Sequence, residues 1–231
     1  MELFVRREEM ESIKLCIFDL DGTLAETRAS IARPVNMVLR RYQLPDQPVE
    51  AFSYFAGDGI RNALKRALIA SGDAKASHLE EGLPFCKQWL DEDPMYLVEP
   101  YEHITEALQV LKDHGVKIAV FSNKPHISAI HVVETLFGKG FFDHIQGQVD
   151  GVPIKPDPAG GFKIMKTFGF DQSSCLYFGD TCTDMMTGHN MGLKTVGVTW
   201  GFRPRSELEE YRADIIIDDP NEIPQLLGID K

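Results

Sequence analysis

A chain of 231 residues, 43% hydrophobic and 26% charged, has ordinary globular composition and enough length for a substantial core plus a modest insertion. Its 35 acidic and 24 basic residues give a formal net charge of −11, which sets the surface against nucleic acid and anionic membranes but still permits a small anion at a locally positive or metal-bearing site. The four cysteines make no C-x-x-C pair or zinc-spaced cluster, and no apolar run approaches the roughly eighteen residues of a membrane span, so a reduced cytoplasmic protein with no membrane partner is expected.

The opening MELFVRREEMES is charged throughout and has no apolar h-region, so residues 1–9 read as a short extension rather than a secretory leader. In KLCIFDLDGTLAET, Lys14 to Thr27, an apolar run ends on Asp19 and Asp21, followed by Gly22 and Thr23. Two carboxylates at i and i+2 of an extended backbone can address one ligand, and a divalent cation with hard oxygen ligands would relieve their repulsion. Asp-Gly after a strand is also an ordinary turn signal.

Residues 28–96 show helical patterns such as IRNALKRALIASG and LPFCKQWLDED between glycine and proline turns, with no convincing strand, and predict a helical insertion. Within it, the turn Gly57 to Gly59 opens a helix carrying Arg61 and Lys65 at i and i+4. A helix N-terminus with basic side chains can hold a carboxylate or a second phosphate; a solvated helix face is the alternative.

Beyond the insertion, short apolar runs alternate with helical patterns. KIAVF leads into SNK, CLYF into GDT, TVGVT into WGF and DIIID into DPNE, with amphipathic helices at Ile104 to His114 and Ile127 to Phe137 closed by Gly115 and Gly138. This alternation predicts an α/β fold with a parallel sheet, its core formed by residues 10–27 and 97–231. Ligands of such sheets bind outside the carboxyl ends of the strands, so Asp19, Ser122 and Asp180 would share one rim. Asp184, four residues after Asp180, makes a second acidic pair, and PIKPDP presents Lys155 with its backbone restricted by neighbouring prolines. GHNMGLKT lacks the spacing of a phosphate loop, Met185, Met186 and Met191 read as packing residues, and Cys182 lies within the acidic loop.

The series D19-L-D-G-T, S122-N-K, K155-P and G179-D180-x-x-x-D184 resembles, in order and over essentially the whole chain, the four motifs of the haloacid dehalogenase superfamily. GFRPRSEL and GVTWG are similar to its phosphoglycolate phosphatase-like branch. The resemblance implies a Rossmann-like core with a helical cap inserted after the first strand, and a Mg²⁺-dependent phosphatase acting on a small phosphorylated metabolite, phosphoglycolate being the first to test. It also implies that Asp19 attacks phosphorus to form an aspartyl-phosphate and that Asp21 serves as acid and then base. Ser122 and Lys155, with Thr23, Asn123 and backbone N–H groups near Gly22, would hold the phosphoryl oxygens, and Arg61 would act from the cap on substrate choice. Mg²⁺ would be held by Asp19, the Asp21 carbonyl and Asp180, with Asp184 in a supporting role that orients Lys155 or water at the metal. Two rivals stay open: a phosphomutase of the same superfamily, and a phospho-aspartate regulatory or binding protein without turnover. The oligomeric state is not legible in the sequence.

Overall fold

A computed structural model describes Met10 and residues 12–229; the expected extension at residues 1–9 lies outside the described residues. The first apolar run forms β1, Leu15–Phe18, every residue of it buried. It is one of the inner strands of a six-stranded sheet whose other members are β4 (Lys117–Pro125), β5 (His144–Gln148), β6 (Cys175–Gly179), β7 (Lys194–Val198) and β8 (Ile215–Ile217), in the order β5-β4-β1-β6-β7-β8. All neighbouring pairs are parallel. From β1 the chain first builds outward through β4 and β5, then crosses to β6, β7 and β8 on the other side. The carboxyl end of β1 is therefore the topological switch point, where a crevice opens and ligands bind.

The strands are apolar on both faces because helices cover both. Alternate residues of β1 divide between two clusters: Cys16 and Phe18 pack with Ile118, Val120 and Leu176, whereas Leu15 and Ile17 pack with Ala119, Phe121 and Tyr177. Phe18 stacks on Phe178 of the next strand at 4.6 Å between ring centroids. Each such large apolar side chain contributes roughly 1.5–3 kcal/mol by leaving water. The expected helices are present as Ile104–Asp113 and His126–Phe137. Strand β5 was not foreseen, for a physical reason: its sequence HIQGQ lies at the sheet edge, mostly half-buried, and offers Ile145 as its one large apolar residue.

Between β2 (Ala25–Glu26) and β3 (Glu99–Pro100) the chain forms a helical cap. Its helices, α1 (Arg28–Arg41), α2 (Phe52–Phe55), α3 (Ile60–Ala70) and α4 (Leu79–Glu92), enclose an apolar cluster of their own, including Val38, Leu39, Phe52, Leu64, Leu68 and Cys86. The cap also receives Phe202 from the loop after β7, over which the Arg28 guanidinium sits at 5.6 Å. Strands β2 and β3 pair antiparallel, Ala25 with Pro100 and Glu26 with Glu99, so the two chain segments linking cap to core lie side by side. Among the described residues, no helix is long and apolar enough to cross a membrane.

Candidate active site

After β1 the backbone coils around a single carbonyl: the N–H groups of Thr23, Leu24 and Ala25 all donate to Leu20 O, at 3.3, 3.0 and 3.2 Å. Gly22 sits in the left-handed region, φ +91°, and a Cβ there would lie 2.3 Å from Asp180 Oδ2. Both constraints demand glycine, and they bring the first acidic loop against the last one. Thr23 Oγ1 donates to Asp180 Oδ1 at 3.2 Å, and the Phe202 N–H donates to Asp180 Oδ2 at 2.7 Å. Gly201, in the same loop, is equally tight, since a Cβ would fall 2.3 Å from the Asp180 Cβ.

Asp19, Asp180 and Asp184 meet in the interior, with one carboxylate oxygen from each within 4.8 Å of the others. Lys155 neutralises part of this charge: its buried Nζ donates to Asp19 Oδ1 and Asp184 Oδ1, each at 2.7 Å. The other Asp184 oxygen accepts from the Thr181 N–H at 3.1 Å and the Thr181 hydroxyl at 2.7 Å. Among the described residues, Asp19 Oδ2 has no hydrogen-bond partner. Burial pushes the Asp19 carboxyl up to about 7, with Lys155 opposing and Asp184 and Asp21 adding to the rise. Burial, with Asp184 and Asp19 adjacent, likewise holds Asp180 well above the ordinary carboxylate range. Burial works against the Lys155 charge, yet Asp184 and Asp19 outweigh it and keep the ammonium well above the usual lysine range.

Asp19 and Asp21 both face a small cavity of ≈ 30 Å³ between core and cap. Ser122, Asn123 and Lys124 line it from the end of β4, and Ile31, Ala56, Ile60, Ala63 and Leu90 roof it from the cap. Asn123 ties three segments together: Nδ2 donates to Lys155 O and to Gly57 O of the cap, each at 3.2 Å, and Oδ1 accepts the Lys155 N–H at 2.8 Å. Lys155, Asp180 and Asp184 lie behind this lining, 1%, 0% and 1% exposed, and Thr23 is held on Asp180 rather than in the cavity.

Arg61 is not brought to the cavity. Its exposed guanidinium pairs with Glu80, because helix α3 starts at Ile60 and turns Ile60 and Ala63 inward, placing Arg61 about 100° further round. Lys65 is exposed on the same helix. Cys182 is half-buried, and burial with Glu207 beside it pushes the thiol up to about 11, so it stays protonated near neutrality. Lys124 was not foreseen as a site residue. It is buried, and its Nζ donates to Asp21 Oδ1 at 2.9 Å; the available signal was a lysine placed two residues after Ser122 at the end of a buried strand.

A family profile described as "Haloacid dehalogenase-like hydrolase" matches residues 16–198. The chain belongs to this family. Haloacid dehalogenase-like relatives with curated names include the phosphoglycolate phosphatase of Haemophilus influenzae, 33% identical over 94% of this chain and 97% of the relative. The phosphoglycolate phosphatase of Aquifex aeolicus is 28% identical over 93% of this chain and 97% of its own length. Among solved haloacid dehalogenase-like structures, a candidate phosphoglycolate phosphatase from Lactobacillus delbrueckii subsp. bulgaricus superposes with a TM-score of 0.85 at 28% identity, covering 94% of this chain and 99% of that one.

Proposed function

We propose that this hydrolase is a cytoplasmic, Mg²⁺-dependent phosphatase that cleaves a small phosphomonoester, with phosphoglycolate the leading candidate. The observation that carries the reading is Asp19 itself: a carboxylate at the switch point of the sheet, lining a roofed cavity, with Lys155 on one oxygen and the other oxygen unclaimed. The names of the relatives and four unpaired cysteines support substrate and compartment respectively.

The donor set suits a hard divalent cation. Three buried carboxylates converge with one ammonium between them, and the glycines at 22 and 201 leave Asp180 a cradle that a Cβ would fill. Asp19 and Asp180, with the Asp21 carbonyl, would hold Mg²⁺. Asp184 already accepts two hydrogen bonds on each oxygen, against one on each for Asp180, and would instead fix Lys155. When bound, the metal supplies positive charge between an anionic nucleophile and an anionic phosphoryl group.

In this reading Asp19 Oδ2 attacks phosphorus and the ester oxygen leaves, forming an aspartyl-phosphate that water later cleaves. Asp21 gives a proton to the departing oxygen and then takes one from the attacking water, help typically worth about 10²–10⁴-fold. Ser122 and Lys155, with the neighbouring Asn123 and Thr23 holding their segments in place, stabilise the phosphoryl oxygens as charge shifts. The apolar roof excludes bulk water and limits the leaving group in size.

The test is a panel of phosphomonoesters assayed for free phosphate with and without Mg²⁺. Release should depend on the metal and favour short esters over bulky ones. Release that survives chelation, or none from any ester, would refute the reading; turnover that needs a bisphosphate primer and frees little phosphate would mark a mutase.

The acid cluster also predicts how stability responds to pH. The folded-state value of Asp19, about 7, lies above its ordinary value of 3.8, so the metal-free fold binds the proton more tightly and loses stability as pH rises through that window. Mg²⁺ competes with the proton for the same oxygens. Saturating Mg²⁺ should therefore raise the Tm little near about pH 5 and by roughly 5–10 °C near about pH 8, as followed by thermal unfolding. An equal rise at both values would argue against these carboxylates as ligands.

A further inference from the structure

Lys124 is a buried lysine that the chemistry above does not use. Its side chain is 1% exposed, and its Nζ donates to Asp21 Oδ1 at 2.9 Å, on a partner carboxylate that is itself 13% exposed. Among the cavity-lining residues it is the one that carries a positive charge; Lys155 lies behind the lining, committed to Asp19 and Asp184. The roof residues, Ile31, Ile60 and Leu90 among them, offer no hydrogen-bonding side chain to a leaving group. A buried ammonium is costly unless paired, so a lysine maintained here has to meet an anion. Its backbone is also prepositioned: the Lys124 N–H donates to Ser122 Oγ at 3.2 Å, and the preceding Asn123 is anchored to Lys155 and to Gly57 of the cap.

We propose that Lys124 is a specificity-determining residue, a second-anion subsite that recognises a carboxylate carried on the leaving group of a short phosphomonoester. The inference rests on the phosphatase reading for the identity of the phosphoryl site. It adds what that reading lacks, a reason for the enzyme to distinguish a phosphorylated acid from an uncharged ester of equal length. In the structure Asp21 holds the ammonium. When a carboxylated ester enters, its carboxylate shares or takes that contact, and the apolar walls make the interaction strong because little water competes for it. A neutral leaving group finds no equivalent partner and leaves the Lys124–Asp21 pair as it was.

The rival account is that Lys124 merely balances the charge of Asp21. The two separate by selectivity rather than by total activity. Binding of phosphoglycolate and of 2-hydroxyethyl phosphate, which lacks the carboxylate, is measured by calorimetry on Mg²⁺-loaded Asp19→Asn protein, where turnover does not interfere. Phosphoglycolate should bind at least about 30-fold more tightly. Lys124→Met in that background should reduce the preference to about threefold or less, and Lys124→Arg should retain most of it. Because Lys124→Met strands Asp21, the pairwise replacement Asp21→Asn with Lys124→Met, which removes both charges, should show the same collapse if the single variant does not fold. An unchanged preference after loss of Lys124, or no preference to begin with, overturns the subsite. The outcomes remain distinct from those of the phosphate-release panel. Phosphate release without a Lys124-dependent preference sinks the subsite alone, and preferential binding without release from any ester sinks the phosphatase reading alone.

Discussion

Asp19→Asn is expected to lower Mg²⁺-dependent phosphate release by at least about 10⁴-fold while leaving the fold intact. The substitution is isosteric, and an amide oxygen can still accept from Lys155, which now holds Asp19 Oδ1. What disappears is the unclaimed anionic oxygen that would attack phosphorus. Stability should move the other way in metal-free protein. Burial pushes the Asp19 carboxyl up to about 7, so above that pH the wild type carries a charge the interior resists and the amide does not. Near about pH 8 the metal-free variant should be at least as stable as wild type by denaturant unfolding. Appreciable residual turnover would remove Asp19 from the nucleophile role, whatever the metal dependence.

Lys155→Met is expected to cost about 3–5 kcal/mol of stability near neutral pH. The ammonium bridges Asp19 and Asp184 at 2.7 Å each, with side chains 6% and 1% exposed, and the apolar replacement leaves two close carboxylates without their shared counter-charge. The sign with pH follows from the same geometry. Without the ammonium the Asp19 carboxylate holds its proton more tightly, so the deficit should be greatest above about pH 7 and shrink as acid neutralises it. Denaturant melts at two pH values measure this, and a deficit under about 1 kcal/mol at the higher pH would show that Lys155 is not the principal counter-charge. Loss of phosphate release should accompany the loss of stability.

The strand ends were readable because the local rules agree there. The run LCIF is buried on both faces, and Asp19 follows it at the point where the order of the sheet reverses. Asp180 follows β6 in the same manner, and Ser122 lies within β4, which continues past KIAVF to Pro125. Which cation serves which carboxylate was less legible. Spacing placed Asp21 beside Asp19, but the division of Lys155 to Asp19 and Lys124 to Asp21 depends on how two loops and a strand end meet. The anchoring of Asp180 by the Phe202 N–H depends on an aromatic of the core loop being drawn into the apolar cluster of the cap, a contact between residues distant in sequence. Arg61 lies outside the cavity for a simpler reason: one residue of helical rotation separates a side chain in the cavity from one in water, and glycine turns do not fix that phase. Strand β5 escaped notice because an edge position does not require an apolar run.

The ceiling over the cavity is made of the same side chains that hold the helical insert together. Ile31, Ala56, Ile60, Ala63 and Leu90 belong both to the internal cluster of the cap and to the wall of the cavity. Trimming Ile60 or Leu90 to admit a bulkier ester would open a void in that cluster, at about 2–5 kcal/mol for each truncation to alanine. Divergence toward larger substrates is thereby tied to robustness: a lineage widening this enzyme's diet would have to acquire compensating repacking of the insert along with each gain in reach.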